Sequence, residues 1–138
     1  MPSIIVYQKY ITREITRELR LPEDAQHQRL GTELATLNGL TYVALPDGVV
    51  LPEDQPQEIA ATITGITLDD TLRDEIKSAS PHVRLINARV AEKIAERYSA
   101  SDEIKLLRTA PSGEFDAYNA YAESCREWGR AQKAALGL

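Results

Sequence analysis

Residues 33–45 constrain the fold more than any other stretch of this chain. Glu33-Leu34-Ala35-Thr36-Leu37 and Leu40-Thr41-Tyr42-Val43-Ala44-Leu45 flank the dipeptide Asn38-Gly39. Asn-Gly supplies two residues that tolerate positive φ, which a type I′ turn requires, and the twist of that turn matches the strands on either side. A two-residue loop pairs Leu37 with Leu40, Thr36 with Thr41, Ala35 with Tyr42 and Leu34 with Val43, each a compatible cross-strand pair. A second turn at Pro46-Asp47-Gly48 leads into Val49-Val50-Leu51 and predicts a three-stranded meander. The competing local structure is a helix over residues 22–37 with Leu30, Leu34 and Leu37 on one face; the hairpin is preferred.

The rest of the first half agrees with short strands and turns. Five of the seven prolines (Pro2, Pro22, Pro46, Pro52, Pro56) and three glycines (Gly31, Gly39, Gly48) precede residue 60, a density that interrupts helices. Ile4-Ile5-Val6-Tyr7 reads as a strand, since β-branched and aromatic side chains suit a pleated surface. Ile11, Ile15 and Leu19 recur every four residues, a period that fits helix and strand alike, so residues 8–30 stay open between the two. Leu-Pro-Glu-Asp at 21–24 and 51–54 marks two similar turns, not a duplicated domain.

Charge changes character with composition. Residues 1–70 carry five Lys/Arg against eleven Asp/Glu, a net of −6, and residues 71–138 carry eleven against ten, a net of +1. No basic residue lies between Arg29 and Arg73, where Glu33, Asp47, Glu53, Asp54, Glu58, Asp69 and Asp70 all fall. Such a stretch is either a loop-and-strand region kept soluble by its own charge or an acidic docking surface for a basic partner.

The second half predicts helices with clear punctuation. One runs from about Leu68 to Ala79. A second starts at Ser80-Pro81, an N-cap followed by proline at the first helical position, and carries Val83, Ile86, Val90 and Ile94 as a stripe ending near Tyr98. Ser99 and Asp102 form a capping-box pair opening a third helix through Leu106 and Leu107. Pro111 stops it, and Ser112 caps a fourth helix to about Leu136, whose inner face is Phe115, Tyr118, Ala122, Cys125, Trp128 and Gln132. The fold class is therefore α+β: a small antiparallel β-hairpin or meander region over residues 1–60, then a helical hairpin or bundle over residues 61–138.

Chemistry-bearing patterns are sparse. The 138 residues have a net charge of −5, which disfavours nucleic acid and anionic membranes as partners. The longest apolar runs fall far short of the ~20 residues of a membrane span. No basic region followed by an apolar one marks an export signal. His27 and His82 have no ligand at a metal-binding spacing, and Cys125 stands at an apolar position of the last helix, as a packed thiol and not a nucleophile. Gly31, Gly39 and Gly48 build no phosphate loop, so no cofactor is expected. Asp69-Asp70, Asp74-Glu75 and Asp102-Glu103 lie at helix starts, where they complement the helix dipole. Arg84, Arg89, Lys93 and Arg97 are interrupted by Glu92 and Glu96, which weakens a nucleic-acid-binding regulator; that class and an enzyme outside known motifs are the alternatives. Phe115, Tyr118, Tyr121 and Trp128, four of the eight aromatics, share one helix and are either core or a partner interface; with Tyr42 on the hairpin they are the candidate interface residues.

Two segments carry a family resemblance. Ile94-Ala95-Glu96-Arg97-Tyr98-Ser99-Ala100-Ser101-Asp102-Glu103-Ile104-Lys105-Leu106-Leu107-Arg108 resembles the C-terminal region of small bacteriophage tail proteins, tail-fibre assembly proteins among them. Glu114-Phe115-Asp116-Ala117-Tyr118-Asn119-Ala120-Tyr121, with Cys125 and Trp128, resembles the same group: a helix ends in Tyr-Ser, an acidic-apolar helix follows, and an aromatic helix closes the chain. The resemblance covers roughly residues 80–138, and residues 1–79 have no match. It implies a non-enzymatic protein that binds tail-fibre or baseplate proteins, or further copies of itself. It also implies that the protein acts in the host cytoplasm during assembly or in the virion tail, as a retained component or a fibre chaperone.

Overall fold

The computed structural model describes residues 2–138. In chain order the elements are β1 (Ser3–Tyr7), β2 (Thr32–Leu37), β3 (Leu40–Leu45), α1 (Gln57–Ala60), β4 (Thr64–Ile66), α2 (Asp70–Ala79), α3 (Pro81–Ala95), α4 (Ala100–Arg108) and α5 (Gly113–Ala135). The fold is α+β, with an antiparallel sheet ahead of the longer helices. The chain divides into two compact units: one runs to His82 and takes in Ala135–Leu138, and the other is Val83–Ala134. The composition shift near residue 60 precedes this division, because β4 and α2 belong to the sheet unit.

Within the sheet unit the strand order is β2-β3-β1-β4, all neighbours antiparallel. The Asn38-Gly39 hairpin forms as expected, with both turn residues at positive φ (52° and 78°). Leu37 pairs Leu40, Thr36 pairs Thr41 and Ala35 pairs Tyr42, as the loop length demands. The fourth predicted pair is corrected: Glu33 opposes Val43, because a bulge between Glu33 and Ala35 takes up Leu34 as an extra residue. The predicted third meander strand is also corrected. Residues 49–51 are not a strand; β3 instead pairs β1, whose other edge takes β4.

Being central, β1 and β3 are buried on both faces, which is why they read as near-continuous apolar runs. Alternation still sorts their side chains. Ile4, Val6, Tyr42 and Ala44 pack with Leu34, Leu68 and Ile76, joined by Leu136 and Leu138 from the chain end. Tyr7 and Val43 pack in a second cluster with Leu19 and Ile59, bordered by Ile11, Leu21, Leu51 and Ile63. Leu34, Ile59 and Ile76 are fully buried, each stabilising by roughly 1.5–3 kcal/mol through transfer from water.

Residues 8–30, open between helix and strand, form neither. Side-chain hydrogen bonds turn the chain instead: Thr12 Oγ1 accepts from the Glu14 and Ile15 amides, and Asp24 Oδ1 accepts from those of Gln26 and Gln28. These turns leave only the isolated bridges Tyr10–Thr16 and Glu23–Arg29. Leu19 enters the core while Ile15 stays exposed, so the four-residue repeat marks no single face.

The helix expected from Leu68 begins at Asp70, because the Asp69 carboxylate accepts from the Leu72 amide at 2.7 Å and caps it. Ser80 does not cap α3 with its side chain. Its Oγ is buried without a hydrogen-bond partner among the described residues, and its backbone N–H closes α2 on the Ile76 carbonyl.

Candidate interaction site

The helical unit places the residues of the aromatic helix. Ser99 Oγ accepts from the Asp102 amide at 3.1 Å and Asp102 accepts from the Ser99 amide at 2.9 Å, the reciprocal capping box the sequence predicts. Those bonds from Ser99 hold the Asp102 carboxyl below its ordinary pKa. Ser112 Oγ accepts from the Phe115 amide at 3.0 Å and starts α5.

Ile94, Tyr118, Ala122 and Cys125 make the core, with Val90, Tyr98, Leu106, Phe115 and Tyr121 packed against it. Tyr98 meets Tyr118 edge-on at 5.0 Å between centroids, and also lies 5.8 Å from Tyr121. The inner face of α5 ends differently from the expected one. Trp128 is half-buried and Gln132 exposed, while Gly129 is buried. A Cβ at Gly129 would stand 2.6 Å from Val90 Cγ2, so the missing side chain is what lets α3 and α5 approach here.

Two cations are stacked on this helix. Lys93 Nζ lies 4.5 Å from the Trp128 ring centroid and Arg97 Cζ lies 4.7 Å from that of Tyr121. The Tyr121 hydroxyl donates to the Lys93 carbonyl at 2.6 Å. Burial and the neighbouring Cys125 thiol push the Tyr121 pKa up. Cys125 itself is a buried free thiol.

The candidate interface residues are thus not equivalent. Tyr42 is 7% exposed inside the sheet core and Tyr118 is 8% exposed inside the helical core, so neither offers a ring to a partner. Phe115, Tyr121 and Trp128 are half-buried; Tyr121 and Trp128 share one face of α5, and Phe115 lies on another, beside Tyr118. What surface the helical unit does present includes residues the sequence reading passed over. A cleft of about 510 Å³ is lined by Arg97, Tyr98, Asp102, Lys105, Leu106 and Thr109, with Glu114 and Ala117 completing it. On α4, Ile104 and Leu107 are 53% and 61% exposed. The signal was available: at about 100° per residue they stand about 60° apart, and both point well away from Leu106, so one helix could not bury all three.

Among the described residues no His, Cys, Asp and Glu side chains converge in a group able to hold a metal, and no helix is long and apolar enough to cross a membrane. No protein-family model, curated protein or solved structure matches the chain.

Proposed function

We propose that this chain is a non-enzymatic, tail-associated protein of a bacteriophage or prophage that acts by binding other tail polypeptides. It serves either as a component of the tail, baseplate or fibre attachment, or as a chaperone of fibre assembly. The observation that carries the reading is the helical arrangement over residues 94–128. The segments that resemble tail proteins meet in one core, with the Tyr98-Ser99 junction capped and Tyr98 packed on Tyr118 and Tyr121. The exposed pair Ile104 and Leu107 adds support, since apolar side chains left in solvent together suit contact with another chain.

Deleting the gene and imaging the resulting virions tests the proposal. Tails lacking or misassembling their fibres are expected. Complete, normally fibred and infectious tails would overturn it. Mass spectrometry of purified virions separates the two forms, since only a retained component is found in the particle.

A further inference from the structure

Strand β2 is an edge of the sheet, and its outer side is bordered by a groove that belongs wholly to the sheet unit. Two depressions follow the strand. One, of about 360 Å³, is lined by Glu33, Leu34, Ala35 and Thr36 against Ala79, Pro81 and His82. The other, of about 640 Å³, is lined by Leu37 and Asn38 against Thr71, Asp74, Glu75 and Ser78. Helix α2 therefore runs antiparallel to β2 as the wall of a channel one strand long.

The edge has backbone groups to offer. Leu37 and Leu40 flank a two-residue turn and form a hydrogen-bonded pair, so the next pair, Thr36 and Thr41, is a non-hydrogen-bonded one. The close approach typical of such a pair is visible in the 2.8 Å contact between the two threonine hydroxyls. The N–H and C=O of Thr36 consequently point outward, away from β3. Among the described residues, no backbone hydrogen bond from outside the sheet reaches residues 32–37. An open edge of this kind accepts an added strand.

The wall selects for charge. Asp74 and Glu75 are exposed, with no ion pair among the described residues, whereas Glu33 is already held by Lys9 at 3.1 Å. Among the described residues no Lys or Arg lines either depression: of the basic residues on α2, Arg73 is paired with Asp70 and Lys77 lies outside both linings. A second copy pairing through the same strand would bring Glu33 and no Lys or Arg, since β2 reads Thr-Glu-Leu-Ala-Thr-Leu. We infer that the β2 groove receives an extended, basic segment of another polypeptide, which adds as a fifth strand with Lys or Arg turned towards Asp74 and Glu75. This rests on the reading of the chain as a tail-binding protein and names the chemistry of the partner segment.

The test uses the full chain and two capped hexapeptides, one alternating Lys with Val and one alternating Glu with Val. The Lys peptide should bind and slow exchange of the Thr36 amide at least tenfold, and the Glu peptide should not. Asp74→Lys with Glu75→Lys should weaken the Lys peptide tenfold or more without touching the sheet. Thr36→Pro, which removes the outward N–H, should abolish binding provided its circular dichroism matches wild type. Failure of the Lys peptide to protect Thr36, equal binding of both peptides, or indifference to the charge reversal would overturn the inference. Capture of a co-expressed fibre protein equally well by wild type and the charge-reversed variant would also overturn it while leaving the tail reading intact. Lys-peptide protection at Thr36 with no fibre protein captured would support the groove and count against the tail reading.

Discussion

The two units keep different things in reserve. In the sheet unit the central strands bury side chains on both faces, and on β1 and β3 only Leu40, beside the hairpin turn, keeps a large apolar side chain exposed. What the sheet unit adds is backbone, along the open edge of β2, beside the exposed side chains of Tyr10, Ile15, Leu40 and Val50. In the helical unit the helices bond their own backbone except at their ends, and what remains is mainly side chain: Leu85, Ile104 and Leu107 in solvent and the half-buried rings of Phe115, Tyr121 and Trp128. A sheet offers a partner hydrogen bonds, with charge to choose among strands; a helical unit offers apolar area.

The comparison breaks most visibly at Ile76. Its side chain is fully buried, so Ile76→Ala should cost roughly 2–5 kcal/mol in urea unfolding. Leu107→Ala, at an exposed site, should stay within about 0.5 kcal/mol. Equal costs would erase the distinction between core and reserved surface.

Gly129 sharpens the helical side. Alanine is the better helix former by up to about 1 kcal/mol, yet its Cβ would collide with the stiff Val90 side chain on α3. Gly129→Ala should therefore destabilise by about 1–2 kcal/mol, and adding Val90→Ala should recover part of the loss in a double-mutant cycle. A stabilising Gly129→Ala would show that α3 and α5 are not in close approach.

Gly39 tests the hairpin by backbone alone. Nothing lies within 4 Å of a Cβ placed there, but its φ is +78°. Gly39→Val should destabilise by about 1–2 kcal/mol through left-handed strain, with no clash to relieve it.

The smallest effect is at the α4 cap. Ser99→Ala should cost about 1 kcal/mol. Because Ser99 holds the Asp102 pKa below that of the unfolded chain, the cap contributes fully above the unfolded value. Its contribution fades as pH falls through the lower folded value. Ser99→Ala keeps the backbone N–H that Asp102 binds, so the pH dependence is read from Asp102→Asn: its difference from wild type should shrink only in acid, and chemical unfolding at a series of pH values measures it.

Local chemistry was the legible part of this chain. Asn38-Gly39 specifies a turn whatever surrounds it, and the caps at Ser99 and Ser112 depend on residues three positions away. Long-range pairing was not legible. Nothing in Val49-Val50-Leu51 says that β3 prefers β1, a partner more than thirty residues earlier, and that choice follows from burying Ile4 to Tyr7 on both faces. Periodicity left residues 11–19 open, and the structure makes them neither helix nor strand because Thr12 turns the chain before either can extend. The aromatic residues were legible as a group but not one by one. Tyr42 and Tyr118 differ from Tyr121 and Trp128 only in what packs over them. Gly129 shows the same limit, since a buried helical glycine reads in sequence as a weakness of the helix.

The most direct measurement is co-expression of this chain with a bacteriophage tail-fibre or baseplate protein from the same genome as its proposed partner, followed by affinity capture and sedimentation of the product. The account predicts a stable complex of defined stoichiometry and more soluble fibre protein than without the chain. A chain that sediments alone, beside fibre protein whose solubility and assembly are unchanged, would contradict it.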